Sequence, residues 1–212
     1  HGRILGDFAR PLAHRQTDPG LGQRLPQRVQ RRQAHEHVAD AIEAEQHQKD
    51  GYASTLSFVI SGGTITSTLH GKDEDAFYGE YVAALKAGKP TRHIALQTNA
   101  KSPEVLRRYR DLGLNQHHAD MEVWDRRLFE WLVPGKARRV GWQAWVDSLL
   151  QSVDIFGPGE TTPLFVAGIE LAQPYGFKTV EEAVASTTEG MDYLMSRGVL
   201  VRFQHWRREF GS

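Results

Sequence analysis

The chain has 212 residues with 26 Lys+Arg, 26 Asp+Glu and 10 His, a formal net charge of zero, which gives no overall electrostatic case for nucleic acid or an anionic membrane as partner. No apolar run approaches the ~18 residues of a spanning helix and nothing resembles a signal peptide, so the default expectation is a cytoplasmic globular protein. The sequence contains no cysteine, which excludes thiol nucleophiles, disulfides, Cys-ligated zinc and Cys-ligated iron–sulfur clusters in the chain as written.

The charge balance hides a division. Residues 1–35 carry seven Arg and two acids, a net +5, while the remainder carries 19 basic and 24 acidic residues, a net −5. The first stretch is rich in Arg, Gln, Gly and Pro, and its apolar residues (Ile4, Leu5, Phe8, Leu12) fit neither strand nor helix periodicity. It is expected to be irregular, a linker or an aberrant stretch in preference to a functional basic arm. The chain begins with His1 and ends at Ser212, and a fragment is expected. Residues 36–212 form the expected folded body.

From Glu36 the punctuation becomes regular. A helix is predicted over 36–49, closed by Gly51, then a short strand through Leu56, Phe58, Val59 and Ile60 into Ser61-Gly62-Gly63-Thr64. Asp73, Glu74 and Asp75 oppose the positive end of a helix dipole, with Phe77, Tyr81 and Leu85 on one face and Gly88 and Pro90 as the stop. A second strand spans His93–Gln97. Ser102 and Pro103 cap a helix that presents Val105, Leu106, Tyr109 and Leu112 before Gly113. A weaker strand covers His118–Val123, followed by helical segments at 126–132 and 142–153, where Trp145, Leu149 and Val153 share a face. After Gly157-Pro158-Gly159 comes a strand over Leu164–Ile169. Thr179 and Glu182 form a capping box before Val180, Val184, Thr187, Met191 and Leu194, and Gly198 precedes a fifth strand, Val199–Phe203.

Five strands separated by helical crossovers predict a parallel α/β sheet with right-handed connections. A closed or partial β/α barrel is expected over a doubly wound sheet, because no dinucleotide fingerprint follows a strand. Barrel active sites lie at the C-terminal strand ends. The residues there are Gly62-Gly63-Thr64, Gln97-Thr98-Asn99, Asp120 with Glu122, Glu170, and Arg202 with Gln204: a mouth suited to a small polar ligand carrying both charge signs.

At these positions the sequence resembles the radical S-adenosylmethionine (SAM) enzymes, on the side occupied by biotin synthase and methylornithine synthase. The matching stretches are Val59-Ile60-Ser61-Gly62-Gly63-Thr64, Ala119-Asp120-Met121-Glu122-Val123 and Val166-Ala167-Gly168-Ile169-Glu170. The likeness covers about Glu36 to Ser212 and implies most of a partial (βα)6 TIM-type barrel whose first strand is missing or aberrant. It implies that Gly62, Gly63 and Thr64 offer backbone groups to the methionyl amino group of SAM. By the same analogy Glu122, with Asp120 beside it, binds the ribose hydroxyls, and Gly168, Ile169 and Glu170 lie against the adenine. A glycine turn can approach an ammonium closely, and a carboxylate suits vicinal hydroxyls. Thr64 departs from the usual Gly-Gly-Glu and removes a negative charge from that corner.

The resemblance further implies a 4Fe-4S cluster, an electron donor, and a 5′-deoxyadenosyl radical acting on a small substrate. The CxxxCxxC ligands such a cluster needs are absent, and their loop would precede Glu36. Imidazoles at His14, His35 or His37 would not reproduce a soft anionic site. Two other clusters are weak: His35, Glu36, His37 and His47 lack the i, i+4 spacing of a metal-binding helix, and of Gln116-His117-His118 adjacent side chains point to opposite faces. Arg207 and Arg208, beside Trp206, suit a substrate carboxylate or phosphate but are read in preference as a solvated chain end. Two further functional classes stay open: a conventional barrel enzyme using Asp120, Glu122 and Glu170 as acid–base groups, and a non-catalytic barrel acting as a binding module.

Overall fold

A computed structural model describes residue 36, residues 58–88 and residues 93–206. The expected irregular segment 1–35, all but the first residue of the helix expected at 36–49, and Arg207 and Arg208 lie outside the described residues. So do the candidate metal ligands His14, His35, His37 and His47. The fold is α/β: strands β1 (Phe58–Ser61), β2 (Ile94–Gln97), β3 (Gln116–His118), β4 (Leu164–Ala167) and β5 (Arg202–His205) alternate with helices α1 (Glu74–Gly88), α2 (Pro103–Asp111), α3 (Arg126–Leu132), α4 (Pro134–Arg139), α5 (Trp142–Phe156) and α6 (Val180–Met195). No helix among the described residues is long and apolar enough to cross a membrane.

Local chemistry sets these boundaries. Ser102 sits in extended conformation before α2, its side chain accepting from the Val105 N–H with Pro103 at the first helical position, and Thr179 and Glu182 complete the expected capping box of α6. Asp125 caps α3 through the Leu128 N–H at 2.8 Å. Each device satisfies donors that the first helical turn leaves open.

Every strand pair is parallel. Strands β1, β2 and β3 are neighbours in that order, and β4 pairs with β5. Parallel bridges at His117–Thr161 and Glu122–Phe165 join the two groups, so neighbours follow chain order from β1 to β5. Among the described residues the sheet does not close on itself.

The sheet has two chemically different faces, as period-2 side-chain alternation requires. Ile94 and Leu96 pack with Tyr78, Val82, Leu85 and Tyr109 of α1 and α2. A second core gathers Met121, Val123, Leu128, Phe129, Trp145, Leu149, Phe165 and Leu194. The opposite face carries Ser61, Gln97 and His118, in register across the first three strands.

Several expectations shift by a few residues. The third strand covers Gln116–His118 instead of His118–Val123; beyond it the pairing with the next strand is reduced to the single bridge Glu122–Phe165, at a residue whose φ of 73° is left-handed. The fifth strand starts at Arg202, after the turn at Gly198. Helix α1 buries Tyr78, Val82 and Leu85 instead of a Phe77, Tyr81, Leu85 stripe. Helix α6 buries Ala183, Gly190 and Leu194 and leaves Val180 and Val184 exposed, because the small side of the helix lies against Trp124: a Cβ at Gly190 would sit 2.5 Å from that ring. Helix α4 adds an element to the expected set; Pro134 at its start is its one sequence signal.

Candidate functional site

Because the strands run parallel, their C-terminal ends share one edge. A cavity of about 220 Å³ opens there, lined by Ser61, Gly62, Gly63, Thr64, Glu74, Gln97, Thr98, Asn99, Asp120, Glu122 and Lys136. Three of the expected strand-end clusters therefore converge on one polar mouth.

The glycine turn is braced from two sides. The Tyr78 hydroxyl donates to the Gly63 carbonyl at 2.9 Å, and the Ile65 N–H donates to Glu74 Oε1 at 3.0 Å. Thr64 meets Asn99, whose amide also reaches Glu74, so the β1 and β2 loops are tied across the cavity. Glu74 is in turn paired with Lys101 Nζ at 2.5 Å, and Lys101 also holds Asp75 at 2.7 Å. This network buries charge with its partners in place, the condition under which such burial is tolerated. Burial and the negative Glu74 beside it push the Tyr78 phenol up from its ordinary value, so its hydroxyl stays a donor.

Asp120 and Glu122 follow β3. The Asp120 carboxylate accepts from the Gln97 amide and from the Leu164 N–H at 3.0 Å, which fixes it between β2 and β4. Glu122 Oε1 meets Lys136 Nζ at 2.6 Å, and the same ammonium donates to the Asp120 carbonyl at 2.6 Å and stands 5.1 Å from the Trp145 ring centroid. Lys136 is a pocket residue that no motif in the sequence marks. The left-handed Glu122 holds a conformation that costs a non-glycine residue of order 1 kcal/mol, and such positions concentrate at functional sites.

The fourth strand end behaves differently. Gly168 is left-handed and starts a short 3-10 turn over Ile169–Leu171, while Glu170 is 2% exposed. Its carboxylate accepts from the Gly168 N–H at 2.8 Å and from the Thr187 hydroxyl at 2.5 Å. Gly168, Ile169 and Glu170 do not line the cavity, so Glu170 is not grouped with Asp120 and Glu122 as an acid–base set.

The adjacent histidines divide between the faces as alternation requires. His117, level with Leu96, is fully buried, and burial, with Lys101 nearby, lowers its pKa to about 3. His118 lies level with Gln97; burial, then Arg202, lowers its pKa to about 4. Both rings are neutral near pH 7.

Among the described residues no three His, Asp or Glu side chains converge on a metal-binding position. No protein-family model matches this chain, and comparison with curated proteins finds no match.

Proposed function

We propose that this chain is a radical-SAM-type domain, an open partial β/α barrel of a cytoplasmic enzyme, whose strand-end cavity binds S-adenosylmethionine. The observation that carries the reading is the convergence of Gly62-Gly63-Thr64, Gln97-Thr98-Asn99 and Asp120/Glu122 on one cavity; the resemblance assigns the first of these to the methionyl end and the last to the ribose.

The donor chemistry fits a zwitterionic amino acid joined to a ribose. The backbone of Gly62 and Gly63 would accept from the ammonium, and a Cβ added at Gly63 would meet no atom within 4 Å, so the turn leaves room for a ligand. Glu122 keeps Oε2 for a hydroxyl while Lys136 holds Oε1. Bound SAM supplies an electrophilic sulfonium; the residues named here bind and orient it.

The chain does not fit a 4Fe-4S cluster. It offers no thiolate, and imidazole or carboxylate substitutes do not supply the soft anionic ligation of a low-potential cluster. The activity proposed for this polypeptide is therefore ligand binding alone.

The test is isothermal titration calorimetry of the purified chain with SAM, 5′-methylthioadenosine and methionine. Saturable SAM binding, weaker for each half of the molecule, supports the reading. Absence of saturation at millimolar SAM overturns it.

A further inference from the structure

Arginine keeps its charge at every accessible pH, and its planar guanidinium suits a carboxylate meeting its fork. Arg202 is not matched in this way. Its Nε and Nη2 donate to the Thr162 carbonyl at 3.3 and 3.2 Å, and Nη2 also donates to His118 Nδ1 at 3.0 Å. The nearest carboxylate oxygen, Asp120 Oδ1, stands 4.0 Å away and already accepts from the Leu164 N–H. Neutral acceptors thus orient the guanidinium. Among the described residues Nη1 has no acceptor, and the side chain is 43% exposed.

The orienting ring is itself fixed. His118 Nε2 faces Gln116 Oε1 at 2.7 Å; an amide oxygen only accepts, so the ring carries its proton on Nε2 and presents Nδ1 as acceptor to Arg202. With a pKa lowered to about 4, His118 remains neutral at physiological pH. The pair lies on the cavity face: His118 is level with Gln97, and Gln97 with Ser61, both cavity-lining residues, while Asp120 borders both the cavity and Arg202.

We infer that Arg202, oriented by His118 and the Thr162 carbonyl, is a recognition point for the carboxylate of a small ligand seated beside the strand-end cavity. Its two Nη1 hydrogens are the donors that remain. A single negative charge suits the position, because Asp120 Oδ1, 4.0 Å from the guanidinium, would repel a doubly charged phosphate more strongly than a carboxylate. The inference does not depend on SAM filling the cavity: the carboxylate belongs either to a separate substrate or to SAM itself.

The experiment tracks the Arg202 Nε–H and His118 ring resonances by NMR in the full chain during titration with sodium acetate, against sodium chloride at matched ionic strength. A saturable shift with acetate alone is expected. Arg202→Gln should weaken acetate binding at least tenfold with the amide spectrum retained, and Arg202→Lys, which keeps the charge without the oriented Nη1 hydrogens, should weaken it less. If Arg202→Gln loses amide dispersion, the wild type and Arg202→Lys decide. Repeating the titration at saturating SAM separates the sources. Unchanged acetate binding assigns a separate substrate carboxylate; displacement, with SAM affinity lost in the Arg202 variants, assigns the carboxylate of SAM. No saturable shift, an equal shift with chloride, or unchanged acetate affinity in both variants overturns the inference. Failure of SAM to bind leaves the acetate result readable by itself.

Discussion

The ends of β3 and β4 each deliver a glutamate a few residues beyond the strand, and the two are used in opposite ways. Glu122 lines an open cavity, keeps a left-handed backbone and shares a lysine. Glu170 folds inward, satisfies the Gly168 N–H of its own turn and the Thr187 hydroxyl of α6, and is 2% exposed. The difference lies in the path of the chain after each residue. Beyond Glu122 it passes through α3 to α4, which brings Lys136 to the rim; beyond Glu170 it turns immediately, and α6 sets Thr187 against the carboxylate. A strand-end carboxylate thus lines a cavity or braces a turn according to the next element's path.

The largest effect that sharpens this contrast is acid sensitivity confined to the β3 side. Both β3 histidines have ordinary values of 6.5, lowered in the fold to about 3 for His117 and about 4 for His118. Below pH 6.5 the unfolded chain takes up protons that the folded chain refuses, so stability falls with pH, by about 1.4 kcal/mol per pH unit for each histidine, until the folded values are reached. Urea denaturation at about pH 7 and about pH 5 should show a loss of several kcal/mol, and His117→Asn should roughly halve the slope. A flat profile would mean that His117 is not buried as described.

Next in size is the brace. Glu170→Ala removes a buried carboxylate and the two part-buried hydrogen bonds it accepts from the Gly168 N–H and the Thr187 hydroxyl, a cost of about 2 kcal/mol. Chemical denaturation should detect it while SAM affinity stays unchanged. Glu122→Gln should do the reverse: stability changes by less than about 1 kcal/mol, because a partly exposed ion pair is worth little, while SAM affinity falls about tenfold, near 1.4 kcal/mol. If Glu170→Ala alters affinity more than Glu122→Gln, the roles of the two strand ends are interchanged.

The capped elements are legible in the sequence because their signals are local. Ser102-Pro103 and Thr179 with Glu182 place α2 and α6 by satisfying their own first-turn donors, and the alternation of strand and helix implies parallel pairing. The features that stay hidden depend on contacts distant in the chain. Glu170 looks like Glu122 until Thr187, on a later helix, is placed beside it. Lys136 follows Pro134 in a six-residue helix without an apolar stripe, and only the path of α4 brings its ammonium 2.6 Å from Glu122. The buried stripe of α6 departs from the periodic one because Gly190 faces Trp124, a contact that periodicity, which counts apolar residues, does not register.

The smallest effect separates the two glycines of the turn itself. At Gly62 a Cβ would fall on the Tyr78 hydroxyl, whereas at Gly63 it would meet nothing within 4 Å. Tyr78 is 5% exposed and its hydroxyl holds the Gly63 carbonyl at 2.9 Å, so Gly62→Ala must displace that ring and loosen the turn. The expected cost is about 1–2 kcal/mol. At Gly63 no positive φ favours glycine and no neighbour is struck, so Gly63→Ala should leave stability within about 0.5 kcal/mol of wild type. Neither backbone conformation nor a neighbouring atom therefore requires glycine at this position. If a ligand ammonium approaches the turn, the added methyl group stands in its way, and SAM affinity should fall in Gly63→Ala despite unchanged urea midpoints. Gly62→Ala should lose stability first and affinity only in consequence. Equal affinity for wild type and Gly63→Ala would place the ligand elsewhere in the mouth, on the Asp120–Glu122 side alone.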